Sequence, residues 1–234
     1  MFYCSSVLAL LSIVILMNMQ ETLEKKEPFR FSMMQINRTE VIEVRVLVAA
    51  FITFFSYLSY GIILTVISDW GEHLGVSNKG LFFMVFTVSS LLIRFVSGKM
   101  SDRIGRVHII KLSLIILVIS LILIGFADTP LSLMIGSAVY GVATGMLSPA
   151  ITAWIIDLSH PDHRGKAVAT MYIALEAGIG LGAFFAGSLY ITDVRMIPPI
   201  FYAAAIITFF EYLYLQLFYK RKAQIKPQDE PSNS

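Results

Sequence analysis

Seven apolar runs follow one another along the chain, at 2–17, 46–68, 81–97, 109–126, 131–156, 167–191 and 196–219. The last six each reach or approach the roughly 20 residues that an α-helix needs to cross about 30 Å of hydrocarbon. The first, Phe2–Met17, is marginal. Strands crossing a bilayer would alternate in polarity over about ten residues, and that alternation is absent, which excludes a transmembrane barrel. The sequence therefore predicts an all-α, polytopic membrane helix bundle embedded in a lipid bilayer. Composition agrees, because 15% of the 234 residues are charged, against about 25% in a soluble domain.

The placement of charge sets an orientation. If the loop around Ser97–Lys111 faces the cytoplasm, alternation of the spans puts 18–45, 157–166 and 220–234 on the same side. Those four regions hold fifteen of the eighteen Lys and Arg residues, and the positive-inside bias of short loops then predicts an external amino terminus and a cytoplasmic carboxyl terminus. Phe2–Met17 is also compatible with a secretory signal, but no basic residue precedes it and no small-residue cleavage pattern follows. It reads better as a leading transmembrane helix, 1–17, joined by a polar linker, 18–45, to a bundle at 46–219 and a tail at 220–234.

The loop itself reads Ser97-Gly-Lys-Met-Ser-Asp-Arg-Ile-Gly-Arg106. Gly98, Asp102, Arg103, Gly105 and Arg106 occupy the spacing Gly-x-x-x-Asp-Arg-x-Gly-Arg, which resembles the signature loop of the major facilitator superfamily, with Val107 where a further basic residue is common. Pro161-Asp-His-Arg164-Gly165-Lys-Ala167 resembles that family's turn between helices ten and eleven, and Gln20-Glu21-Thr22 its exit from helix six. The resemblance covers residues 1 to about 220. It implies helices six to twelve, two inverted three-helix repeats plus one leading helix, in a bacterial plasma (inner) membrane. It also implies that an amino-terminal half, or a homodimer partner, completes the machine. Secondary transport of a small-molecule solute by alternating access follows as the expected function, with proton-coupled efflux as its expected form; the alternative is a truncated or partner-dependent membrane protein without autonomous transport.

Each loop residue has a physical task. Gly98 is expected to let its span end beside a neighbouring backbone, and Gly105 to supply a turn. Asp102 is placed to accept hydrogen bonds from the first amides of the following helix and to pair with Arg106, four residues on. The family pattern brings Asp157 near Arg106. The expectation is a charge latch of Asp102, Arg106 and Asp157, with Arg103 and Arg164 from the same loops, closing the cytoplasmic face in the outward-open state. The competing reading is that these charges are solvated topology markers.

Charges at membrane depth cost about 2.5–3.5 kcal/mol on insertion scales and are functional candidates by default. Glu176, nine residues into its run and heading the glycine-rich stretch Gly178-x-Gly180-x-Gly182, is expected to take up a proton or a substrate cation. Arg94, four residues before Gly98, is expected to snorkel to the headgroups, and Glu211 to have a structural role at half depth. Tyr57 and Tyr60, with Phe54, recur on one helical face and are candidates to line a cavity. Gly141, Gly145, Gly178 and Gly182 read as sites of close helix packing.

Several functions lack their apparatus. No Walker loop, Gly-x-Ser-x-Gly or His-Glu-x-x-His motif occurs, so no enzymatic activity is expected. Gly178-x-Gly180-x-x-Ala183 mimics a dinucleotide fingerprint but has no preceding strand. His160 and His163 have no further Cys or His near them in sequence, so neither metal nor cofactor is expected. The net charge of +2 is too small to suggest nucleic acid, and the single Cys4 permits no internal disulfide.

Overall fold

The computed structural model describes residue 6 and residues 10–13, 42–190 and 193–225. The chain divides into two compact units, Met1–Asn37 and Arg38–Ser234. In the first, Ser6 and Leu10–Ile13 are helical. The rest of the predicted leading helix at 1–17, most of the linker at 18–45 and the tail beyond 225 lie outside the described residues.

The described residues of the second unit contain six α-helices: α1 (Leu47–His73), α2 (Leu81–Ile104), α3 (Arg106–Gly125), α4 (Pro130–Leu158), α5 (Arg164–Leu189) and α6 (Ile197–Ile225). No strand occurs among the described residues. All six are long and apolar enough to cross a membrane, and a helix is the conformation that satisfies its own backbone in hydrocarbon.

The apolar runs understate helix length. α1 continues through Asp69 and Glu72 to His73, α2 runs seven residues past Ser97, and α6 passes Tyr219 to reach Ile225. Polar residues at the end of a span extend the helix into water, because nothing in their backbones breaks it. The true breaks are local. Gly105, at φ 99° and ψ 139°, separates α2 from α3, a conformation that a Cβ would oppose. Thr129 caps α4 by accepting from the Ser132 amide while Ser132 Oγ accepts from the Thr129 amide, and Pro130 occupies the first helical position, where its missing N–H costs no hydrogen bond.

The helices form two triplets, α1–α3 and α4–α6. An odd number of spans makes the second triplet start on the opposite side of the membrane, so the repeats are inverted. The packing follows the same exchange: α1 packs chiefly on α5, and α2 on α4. Both seams are built on glycine. A Cβ on Gly178 would run into the Phe54 carbonyl, one on Gly182 into that of Leu58, and one on Gly61 into that of Ile179. In the other seam a Cβ on Gly141 would meet the Phe86 carbonyl, and one on Gly145 would lie 2.6 Å from Ser90 O. Backbones this close gain dispersion along their length without competing for hydrocarbon, the main attraction available between helices in lipid.

Polar ties cross the bundle. Trp70 Nε1 donates to Ile124 O at 3.1 Å, joining α1 to α3, and Ser137 Oγ donates to Phe82 O at 2.7 Å, joining α4 to α2. The core they cross is apolar and continuous, with Leu114, Leu117, Leu121 and Ile124 of α3 fully buried. By contrast, 17% of the apolar window of α2 and 22% of that of α5 are buried, against 61% for α1. The second helix of each repeat thus has most of its surface uncovered among the described residues.

Candidate functional site

A cavity of about 300 Å³ opens between α1, α2 and α4. α1 contributes Ser56, Tyr57 and Tyr60; α2 contributes Phe86, Thr87, Ser90, Leu91 and Arg94; α4 contributes Tyr140, Thr144, Leu147 and Ser148. Tyr57 and Tyr60 lie three residues apart, which puts both on one side of α1. Phe54, three residues earlier, is not in the wall; its ring packs edge-on against Phe55 and its carbonyl faces Gly178.

The wall combines aromatic surface with hydroxyls. Tyr60 and Tyr140 pack against Phe86 from two helices, with ring centroids 6.1 and 5.7 Å away. Tyr140 OH shares a hydrogen bond with Ser59 at 3.2 Å, and Thr144 donates to Tyr140 O. Ser56 Oγ donates to Glu211 Oε1 at 2.6 Å. Pro149, inside α4 just beyond this wall, has no amide hydrogen and so cannot bond the carbonyl one turn back.

The three intramembrane charges have different surroundings. Glu211 is 2% exposed and lies at the centre of α6, which runs from Ile197 to Ile225. Its other oxygen, Oε2, has no hydrogen-bond partner among the described residues. Glu176 is exposed on α5. At about 100° per residue, two residues place Glu176 and Gly178 on opposite sides of the helix, so the carboxylate does not head the glycine seam. Gly180 is likewise exposed, with open space where a Cβ would sit. Arg94 is the fourteenth residue of a 24-residue helix and lines the cavity; it also borders a second hollow with Ser148, Pro149 and Thr152.

At one end of the bundle, Arg106 joins three helices. Its Nε donates to Asp157 Oδ2, and its Nη1 donates to Asp102 Oδ1 at 3.0 Å. Asp102 belongs to the last turn of α2, Arg106 opens α3 and Asp157 lies near the end of α4. Asp102 does not cap α3, because Gly105 takes the cap position without a side-chain hydrogen bond. Gly98 lies within α2, and a Cβ there would meet nothing within 4 Å, so it is not the close-approach site the sequence suggested. Arg103 and Arg164 are exposed and make no ion pair among the described residues.

A hollow of about 550 Å³ is lined by Ile42, Glu43, Val44 and Arg45 before α1, by His160, Asp162 and His163 between α4 and α5, and by Lys166 of α5. Glu43, 7% exposed, lies 3.4 Å from His163 Nδ1 through Oε2, and its amide donates to Thr170 Oγ1 at 3.0 Å. No sequence signal pointed to Glu43, which lay inside a segment read as linker. Its pairing depends on a partner 120 residues away. Among the described residues no group of three or more His, Cys, Asp or Glu side chains is placed to hold a metal ion.

The family model of the Major Facilitator Superfamily matches residues 49–234. Multidrug resistance protein 2 of Bacillus subtilis (strain 168) is 31% identical over 160 residues, covering 65% of this chain and 38% of that protein. Multidrug resistance protein 1 of the same organism is 28% identical over 154 residues, covering 65% and 39%. Quinolone resistance protein NorA of Staphylococcus aureus is 26% identical over 164 residues, covering 69% and 42%. The chain thus spans about two fifths of the length of these curated relatives. Among solved structures, that of the human organic anion transporter MFSD10 (TETRAN) superposes with a TM-score of 0.62 at 19% identity, covering 77% of this chain and 47% of that one; at that identity the likeness is one of fold. Six membrane-length helices make the protein a multi-pass integral membrane protein, and with its inverted triplets and a match across more than three quarters of its length the chain belongs to the Major Facilitator Superfamily.

Proposed function

We propose that this chain forms one half of the pathway for a small amphipathic solute, carried across the membrane by alternating access and, by analogy with the multidrug and quinolone resistance relatives, expelled in exchange for protons. The observation that carries this reading is the cavity between α1, α2 and α4, where aromatic faces and hydroxyls from three membrane-length helices converge. A site of this kind takes up an apolar body and fixes its polar end. The cavity is open on one side, and α2 and α5 leave broad apolar faces uncovered. A second bundle, either an amino-terminal half or another copy of this chain, completes the wall.

The Asp102–Arg106–Asp157 cluster acts as a latch in this scheme. It ties the junction of α2 and α3 to the end of α4, on the side that the Lys and Arg distribution assigns to the cytoplasm. The amino terminus is then external. Rocking of the bundle separates these helix ends and breaks the cluster, so the cluster favours the state closed to the cytoplasm. Glu176, exposed on α5 outside the cavity wall, is the candidate to carry the coupled proton.

Proteoliposomes containing the full chain, loaded with a pH-sensitive dye and challenged with a fluorescent aromatic solute, test the reading. Solute-dependent proton flux that Glu176→Gln abolishes supports it. Solute flux that Tyr57→Ala and Tyr60→Ala leave at the wild-type rate would refute the cavity as the pathway. Absence of any flux, with no homodimer detected by crosslinking, would favour the partner-dependent reading, for which the coverage of about two fifths of the relatives is the supporting observation.

A further inference from the structure

We infer that the solute of this cavity is an aromatic organic anion, a carboxylate or sulfonate, whose charged group is received by Arg94. The inference rests on the cavity reading above and adds the sign of the ligand's charge. Arg94 lines the cavity from α2, and its planar guanidinium offers paired donors that match a carboxylate. None of the residues around the cavity is acidic.

The acidic side chains on the three helices of the wall are engaged or distant. Asp102 and Asp157 are bound to Arg106, and Glu72 pairs with Lys79 at 2.7 Å. Asp69 lies near the far end of α1. Glu211 is not in the wall; it accepts a hydrogen bond from the wall residue Ser56. Glu176 belongs to α5, which contributes nothing to the cavity. Arg94 is exposed on α2 and makes no ion pair among the described residues, and an exposed guanidinium beside a cavity can receive the charged group of an anion held there.

The remaining wall suits such a ligand. Tyr57, Tyr60, Thr87, Ser90 and Ser148 line the cavity, and their hydroxyls have no hydrogen-bond partner among the described residues. Hydroxyl donors beside a guanidinium make charge-assisted hydrogen bonds to carboxylate oxygens, while Phe86 and the tyrosine rings take the aromatic body. A lipid phosphate offers the same anionic chemistry, so the test must separate the two sources.

The experiment is equilibrium binding of radiolabelled 2-naphthoate, against its cationic counterpart 2-naphthylmethylammonium, to the full chain in phosphatidylcholine nanodiscs. Wild type is expected to bind the naphthoate and discriminate against the ammonium, with Kd raised about tenfold or more in Arg94→Gln and largely restored in Arg94→Lys. Unchanged tryptophan fluorescence verifies that the variants are folded. Naphthoate affinity unaltered by Arg94→Gln overturns the inference. Loss of naphthoate binding when phosphatidylglycerol is added overturns it in favour of a lipid headgroup. Binding of the ammonium alone, weakened by Tyr57→Ala, overturns the anion while leaving the cavity reading intact. Failure of Tyr57→Ala to affect either probe refutes the cavity itself.

Discussion

Gly178 and Gly180 are two residues apart on α5, yet replacing each with alanine is expected to have different effects. A Cβ on Gly178 collides with the Phe54 carbonyl and comes to 3.2 Å from Phe54 C and 3.3 Å from Leu58 N. All three atoms are backbone, so none can turn aside, and α1 and α5 must separate. A gap of about 0.5–1 Å forfeits a quarter to a half of each dispersion contact it opens, and overpacking of this kind costs about 1–3 kcal/mol. A Cβ on Gly180 meets nothing within 4 Å. Both substitutions gain the same helix propensity, about 0.5–1 kcal/mol, so it cancels in the comparison. Gly178→Ala should therefore be less stable than Gly180→Ala by about 1–3 kcal/mol. Unfolding in mixed micelles with increasing sodium dodecyl sulfate measures this through Trp70 and Trp154, the chain's two tryptophans, both buried. Equal midpoints for the two variants would refute the seam.

Gly105→Ala, which forces a Cβ onto φ 99°, is expected to cost about 1–3 kcal/mol in the same assay, while Gly98→Ala, in open space, leaves the midpoint unchanged or higher. Ser56→Ala removes the hydrogen bond that the described residues give a carboxyl that is 2% exposed and should destabilise by about 1–3 kcal/mol; Glu211→Gln, which keeps an acceptor for Ser56, should cost less than Glu211→Ala. Asp157→Asn leaves global stability within about 1 kcal/mol, because the partners are partly exposed and screened. The same variant should nevertheless raise cytoplasmic-side labelling of a cysteine placed in the cavity; unchanged labelling would remove the latch.

The number and type of elements were legible because hydrocarbon imposes a length and a composition that can be read residue by residue. Six of the runs correspond to the six helices of the described bundle, and the Gly-x-x-x-Asp-Arg-x-Gly-Arg spacing pointed to the family that the match at 49–234 identifies. Helix ends were misread at Ser97 and Tyr219, since polarity marks where a membrane stops rather than where a helix does. Arg94, four residues before Gly98, consequently lies well inside α2 rather than near its end. The side of the helix was also lost. Glu176 shares a glycine-rich stretch with Gly178 in sequence but faces away from the glycine seam.

The sequence by itself determined that this chain crosses a bilayer as helices, which loops share a side, and where a charge-bearing turn must lie, because each follows from local composition and alternation. Tertiary structure alone decided which helices touch. It put α1 on α5 and α2 on α4, brought Glu43 to Thr170 across 127 positions and Glu211 to Ser56 across 155, and left Arg94 beside a cavity without a carboxylate in its wall. Spans that are apolar all round carry little record of which face meets which neighbour; that choice is made by backbone approach at a few glycines and by single hydrogen bonds, and only the packed bundle displays it.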